Sequence, residues 1–310
     1  MKKLLEILAG WLIAGGSLFS QQDPQYSQYM FNQVIINPAY IGSKDGIQIT
    51  ALTRKQWVNI NGSPQSNNIS VSSPILSRKM ALGSHLVFET IGPKKWFAAH
   101  FDYCYRLKLG KGKLSFGLSP GIVGYSLDIS KFDLYDAGDA IFYSNSNKRT
   151  IKFDLSAGLF YNTKTFYAGI SATHLTTPVL FSISSPTVKF SRFYDLNRHY
   201  FITAGKAFEI NRNLIINPSI MIKTLNSNNL NFDGNLNILF NEKIWVGASY
   251  RTSKNIIGLV QVLLTDKLKV GYSYDYGYGK LNALSSGSHE IMINYGLGIG
   301  KSRIVNPRFL

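Results

Sequence analysis

The 310-residue sequence is poor in several features that ordinary soluble proteins use. It has one cysteine, Cys104, which excludes an internal disulfide framework and a zinc site built on several thiolates. Only 16% of the residues are charged, below the roughly 25% of an average soluble domain. Acidic residues are the scarcer kind, 17 against 33 Lys and Arg, so the net charge is +16. Beyond residue 20, no apolar run is long enough to cross a membrane as a helix.

What the chain does have is aromatic and small residues. Tyr and Phe number 18 and 19, and there are 27 glycines. Low charge combined with many aromatic residues is the opposite of the composition that keeps chains disordered. The composition therefore favours an ordered, β-rich protein.

Residues 1–20 have the layout of a secretory signal peptide. Lys2 and Lys3 precede an apolar stretch from Leu4 to Phe19, and Ser20 offers a small residue for cleavage. The stretch is shorter than the about 20 residues of a spanning helix, which disfavours the alternatives of a membrane anchor or a core helix. No cysteine stands directly after it, so a lipoprotein is excluded. We therefore expect an exported protein.

Alternation of polar and apolar residues dominates the chain after residue 45. The stretch "NLNFDGNLNILF" at 229–240 places Asn or Asp at every second position up to residue 237. A period of two indicates a strand with a different environment on each face. Asn and Asp are poor strand formers, so their face must meet water or polar groups. Fourteen such segments are centred near residues 51, 70, 85, 101, 118, 156, 170, 203, 219, 235, 247, 260, 272 and 292.

The links between these segments are short at one end and mostly long at the other. The short ones read "LSRK", "LGKGK", "NTK", "INRN", "NEK" and "TDK", whereas residues 57–65, 126–149, 175–197 and 277–287 form long links. This asymmetry is typical of outer-membrane barrels, with short turns in the periplasm. The sequence thus predicts an all-β, transmembrane, antiparallel up-and-down outer-membrane β-barrel of about 14 strands over residues 46–310, with both termini periplasmic. A soluble β-sandwich is the alternative, but its strands would be nearer 5–6 residues long.

Residues 21–45 do not alternate and form a separate segment, periplasmic or folded into the barrel. They read "QQDPQYSQYMFNQVIINPAYIGSKD". Further motifs are "RKQW" at 54–57, "RLKLGKGKLSFGLSPG" at 106–121, "GYSYDY" at 271–276, "GSHEIMINY" at 287–295 and the tail "NPRFL". With this set of motifs, the chain resembles the PorP/SprF family of the Bacteroidetes type IX secretion system and gliding machinery. Asn306 and Leu310 depart from that family's usual tail.

The resemblance implies a fourteen-stranded barrel that serves secretion or gliding. It implies contact with a periplasmic lipoprotein or ring component, and support for the export or surface attachment of one cargo protein. An aromatic-rich segment outside the strands either plugs its own lumen or docks a partner, and the sequence leaves both open. The candidate residues for either role are Tyr26, Tyr29, Met30, Phe31, Asn37, Pro38, Ala39 and Tyr40. Candidates for contacts at the rim of the barrel are Trp57, His289 and Glu290.

Catalytic and ligand-binding motifs are missing from the sequence. It contains no HExxH, CxxC or GxSxG, and the glycines of "KLGKGKLSFG" lie in a strand turn rather than before a helix. His100 and Asp102 share a strand face, but polar residues line barrel interiors in any case. We therefore predict no enzyme, metal or cofactor. No nucleic-acid motif occurs, and the basic residues at strand ends suit anionic lipid head groups. A porin-like channel for small solutes remains the alternative function.

Overall fold

The computed structural model describes residues 23–75, 79–128, 148–183, 191–225, 229–279 and 284–298. The expected signal peptide at 1–20 and the tail motif at 306–310 lie outside these residues. Within them, no helix is both long and apolar enough to cross a membrane. The described helical structure consists of three single 3-10 turns, Tyr29–Phe31, Gln33–Ile35 and Pro38–Tyr40.

Seventeen strands make up the rest of the regular structure. They are β1 (Ile47–Lys55), β2 (Gln65–Ile75), β3 (Met80–Ile91), β4 (Lys94–Leu109), β5 (Gly112–Leu127), β6 (Lys148–Asn162), β7 (Phe166–Thr173), β8 (Val179–Ile183), β9 (Ser191–Asp195), β10 (His199–Lys206), β11 (Phe208–Asn211), β12 (Leu214–Leu225), β13 (Asn229–Phe240), β14 (Ile244–Arg251), β15 (Asn255–Leu263), β16 (Leu268–Gly277) and β17 (Ser288–Leu297).

Fourteen of these strands form one closed antiparallel barrel, which confirms the predicted fold. Barrel strands that follow one another along the chain pair with each other, and β17 pairs with β1 to close the barrel. Strand β10 pairs with both β7 and β12, so the hairpin β8–β9 and strand β11 are not part of the closed ring. Every predicted segment corresponds to one barrel strand. Closure leaves no barrel strand with an unpaired edge, which is what a sheet surrounded by lipid requires.

The alternation in sequence separates the two faces of the barrel as predicted. In β13, Asp233, Asn235 and Asn237 are buried and point inward, while Leu236 and Phe240 are exposed on the outside. Ring residues also face outward near strand ends, as at Tyr105, Tyr276 and Tyr295. An apolar outer band with aromatic residues at its borders is the surface that a lipid bilayer solvates.

Two additions to the barrel have no counterpart in the sequence-based prediction. The hairpin β8–β9 forms inside the long link between β7 and β10, and β11 extends the sheet beside β12. Both are short, with five, five and four residues. Short strands in a loop carry too few alternating positions to produce a clear period.

Candidate functional site

The lumen is occupied by residues 23–45, which we call the plug. At one end, Asp23 contacts His174 and His199, which border the long link between β7 and β10. At the other end, the Gly42 carbonyl accepts a hydrogen bond from Arg106, near the short turn that follows β4. The plug therefore crosses the lumen from the long-loop end to the short-turn end before β1 begins.

A buried ionic cluster fastens the plug near the long-loop end. The backbone N–H groups of Ser27 and Gln28 donate to the two carboxylate oxygens of Glu290, each over 2.8 Å. Arg54 donates to Asp275 over 2.6 Å and to Glu290 over 3.3 Å. The Ser27 hydroxyl lies 2.7 Å from Asp275 and accepts from Arg54 over 2.8 Å. The two carboxylates thus share one guanidinium and three donors of the plug, which compensates for their burial.

A second charged pair holds the neighbouring part of the plug. Arg251 donates to Asp233 over 2.8 Å and to the carbonyl of Tyr26 over 3.2 Å. Two positions along β13, Asn235 donates to the Tyr29 hydroxyl over 2.6 Å. Several inward polar residues of β13 and β14 therefore bind the plug.

The "INPAY" motif fits a tight site on β5 and β6. The Asn37 side chain accepts from Ala39 N over 2.9 Å, with Pro38 at the first position of the 3-10 turn. Its amide nitrogen also donates to the carbonyl of Leu159 over 3.0 Å. Gly117 lies directly against the Ala39 backbone, and a Cβ at Gly117 would overlap the Ala39 nitrogen. The motif is thus explained by close backbone approach within the lumen.

Apolar side chains of the plug are part of the described core. Tyr26, Tyr29, Met30 and Phe31 pack in one buried cluster with inward residues of several strands. The Phe31 ring lies 6.0 Å from that of Trp245, centroid to centroid. Full burial of such a side chain stabilises a fold by about 1.5–3 kcal/mol relative to exposure. The barrel therefore has a packed interior and not a water-filled one along this segment.

The short-turn end of the plug is closed by Lys44. Its ammonium donates to the carbonyl of Phe31 over 3.0 Å and lies 5.8 Å from the centre of the Tyr40 ring. Burial lowers the pKa of Lys44 to about 8. The cation is thus held by a carbonyl and a ring face inside the barrel.

All eight residues proposed for plugging or docking lie inside the lumen and are buried. Of the three rim candidates, Trp57 is half-buried and its backbone N–H donates to the Ser288 hydroxyl over 3.2 Å. His289 faces outward and lies 2.6 Å from the Tyr272 hydroxyl. Glu290 requires a correction, because its side chain is fully buried and holds the plug. Every second residue of β17 faces the lumen, and Glu290 is one of these residues. On the inner face, no external partner reaches it.

The predicted periplasmic position of both termini, at the short-turn end, stays a prediction. Leu297 pairs with Ile47 at that end, but Asp23 lies at the long-loop end, since the plug runs the length of the lumen. The termini themselves are outside the described residues.

Four of the five histidines form a row with three carboxylates on the inner wall. His85 lies 2.9 Å from Asp102 and stacks on His100 with centroids 4.9 Å apart. His100 lies 3.1 Å from Asp154, and the row continues through His174, Asp23 and His199. The Ser119 hydroxyl donates to Asp102 over 2.6 Å and not to an imidazole. A serine nucleophile needs an imidazole base beside it, so this row lacks that arrangement.

The His174 side chain is held between two carboxylates. Its Nδ1 lies 2.7 Å from Asp154 and its Nε2 lies 3.0 Å from Asp23. Burial would lower the pKa of His174, but Asp23 and Asp154 raise it to about 10. Burial would likewise raise the pKa of Asp23, but His174 and His199 hold it well below its usual range. The imidazolium thus offsets the charge of one of the two carboxylates.

A cavity of about 70 Å³ lies beside the histidine row at the long-loop end. Its lining combines apolar side chains with charged ones. The former include Trp96, Phe201 and Met221, and the latter include Lys223 and Arg251. The plug borders this cavity through Asp23 and Tyr29, so the cavity ends at the plug.

Comparisons with known proteins agree with the barrel. A family model described as type IX secretion system membrane protein PorP/SprF matches residues 18–295. No curated protein matches the chain in sequence. Solved barrels do resemble it. The CymD monoaromatic hydrocarbon channel has a TM-score of 0.56 at 10% identity, covering 86% of this chain and 93% of its own.

Two further solved structures resemble the chain. The toluene transporter TodX of P. putida has a TM-score of 0.51 at 10% identity, covering 84% of this chain and 93% of that one. The outer membrane protein Omp33 of Acinetobacter baumannii has a TM-score of 0.49 at 9% identity, covering 83% and 100%. At identities this low, the CymD and TodX matches show a shared fold and nothing about ligands.

Proposed function

The chain belongs to the type IX secretion system membrane protein PorP/SprF family, and on that premise we propose that it is a plugged, non-enzymatic outer-membrane barrel that docks periplasmic components of that system or supports the export or surface attachment of a cargo protein. The family match covers residues 18–295, so the proposal draws on nearly the whole chain. We also propose that residues 1–20 are a cleaved signal peptide, on the pattern of their sequence.

The observation that carries the proposal is the filled lumen. Residues 23–45 are fastened to several strands by hydrogen bonds and by a buried cluster of aromatic side chains. A barrel that conducts solutes needs an open, polar passage. The alternative of a porin-like channel would require the plug to leave, which costs its packing and its hydrogen bonds. In a filled barrel, the two ends are the surfaces that remain for binding other proteins.

The short turns are the surfaces that we assign to periplasmic docking. Asn241 and Glu242 form one of them with positive φ of 48 and 55, followed by Lys243. Such turns are exposed and protrude at the end of the barrel where β1 begins. Because the plug is buried, its aromatic residues serve docking only if the plug unseats.

Crosslinking in native outer membranes, followed by purification of the barrel, tests the proposal. We expect the intact protein to capture a periplasmic lipoprotein or a large surface cargo of the secretion system. A variant that lacks residues 21–45 distinguishes the two docking modes. If the turns dock the partner, this variant still captures it; if an unseated plug docks it, capture is lost.

The channel alternative has its own outcome in this experiment. If neither form captures a protein of the secretion system and the intact, purified barrel conducts ions in a planar bilayer, the secretion role is wrong. Heat-modifiable migration on gels serves as the control that both forms are folded barrels.

A further inference from the structure

We propose that Asp23, His174 and His199 form a binding site for a divalent transition-metal ion of the Zn²⁺ type, which clips the start of the plug to the barrel wall. The three side chains come from three separate segments: the plug, the residue after β7 and the first residue of β10. One ligand atom from each lies within 4.8 Å of the others. Two imidazoles and one carboxylate are a ligand set that zinc uses, with a fourth position left for water.

The distances between these atoms suit a common metal. Tetrahedral ligands at about 2.0–2.1 Å from zinc are separated from each other by about 3.3 Å. His174 Nε2 lies 3.0 Å from Asp23 Oδ1, and His199 Nδ1 lies 3.2 Å from Asp23 Oδ2. The two rings are 5.9 Å apart at an angle of 69°. Small side-chain movements therefore bring all three atoms onto one ion.

The surroundings of His174 are those of a metal ligand. Its second nitrogen, Nδ1, lies 2.7 Å from Asp154, whose carboxylate is itself buried. A carboxylate on the far nitrogen fixes the tautomer of a ligating histidine and increases its basicity. Asp154 also lies 3.1 Å from His100, so its position is set by a second contact.

His199 provides an independent observation. It is only 2% exposed, and its Nδ1 lies 3.2 Å from Asp23 Oδ2 without meeting hydrogen-bond geometry. Buried polar atoms are almost always hydrogen-bonded. A metal ion between His199 and Asp23 would join this nitrogen and this carboxylate directly.

The charges at this place accommodate a cation. Asp23 and Asp154 contribute two carboxylates, while the cations Lys223 and Arg251 line the adjacent cavity. A metal ion that binds replaces the proton on His174 Nε2, which is released to solvent. The ion then takes over the role of the imidazolium between the two carboxylates.

Zinc binding by the full-length, purified barrel tests the site. Protein stripped with a chelator, loaded with ZnCl₂ and desalted is analysed for bound zinc, and isothermal titration gives the affinity. We expect about one zinc per chain, with affinity weakened at least about tenfold by either Asp23→Asn or His199→Ala. His289→Ala is the matched control, since His289 faces outward against Tyr272, and it should bind zinc like the unaltered chain.

Asp23→Asn guards against misfolding as an explanation, because Asp23 belongs to no strand. Hydrogen exchange provides the second readout, and zinc should slow exchange of the backbone amides near Asp23 in the unaltered protein only. The site is refuted if folded protein retains no zinc, or if His289→Ala loses as much as His199→Ala. The clip is refuted if zinc binds and exchange in the plug does not change.

Discussion

We expect that replacing Arg54 with Met weakens the binding of the plug to the barrel wall, so that the plug leaves its position in the lumen (is unseated) more often. The substitution leaves Asp275 and Glu290 buried beside each other without their shared guanidinium. Breaking a buried ion pair by removing one partner costs about 3–5 kcal/mol. Because Glu290 accepts hydrogen bonds from the backbone of Ser27 and Gln28, we expect much of this free energy to be lost from the contact between the plug and the barrel wall. The population of unseated plug should rise by about a hundredfold or more.

Limited proteolysis of the folded barrel measures this effect. Cleavage within residues 23–45 should be much faster in Arg54→Met than in the unaltered protein. The control is Lys55→Met, since Lys55 follows on the same strand but is exposed on the outer face. Equal protection of the plug in both variants would mean that the ionic cluster does not hold it.

Removing the plug opens the barrel to ions. A fourteen-stranded barrel without its interior segment encloses a lumen wide enough for water. Deletion of residues 21–45 should therefore raise conductance in planar bilayers at least about tenfold over the intact protein. Gly117→Val should open it as well with the chain complete, because a side chain at Gly117 overlaps the backbone of Ala39.

Gly258→Val is the matched control for this experiment. Gly258 also lies in a barrel strand, but a Cβ there meets nothing within 4 Å. It should remain closed while Gly117→Val conducts. If the deleted form folds and stays closed, something other than residues 23–45 blocks the passage.

The barrel strands and their inner and outer faces were predictable from the sequence because they depend on local alternation. Asn235 and Asn237 indicate a polar interior from the pattern of a single strand, and no distant contact is needed to place them on the inner face. The hairpin β8–β9 is too short to give such a signal. Alternation likewise assigns Arg54, Asp275 and Glu290 to the inner face of the barrel. The signal that could have identified their role is the charge that each of them carries on that face.

The destination of the plug was not predictable, because it depends on contacts between residues far apart in sequence. Ser27 and Asp275 are separated by 248 positions, and Tyr29 and Asn235 by 206. Alternation states which face a residue occupies but not which residue meets it across the lumen. For the same reason the meeting of Asp23, His174 and His199 has no signature in the sequence, and Glu290 was placed on the rim.

Cysteine accessibility at Met30 tests the central claim, that residues 23–45 fill the lumen. Met30 is 3% exposed within the plug, and Cys104→Ser provides a cysteine-free background. In native outer membranes, Met30→Cys should resist a water-soluble maleimide until the barrel is denatured. Ser253→Cys, in the exposed link between β14 and β15, should react at once. Equally fast labelling of both positions in folded barrels would contradict the account.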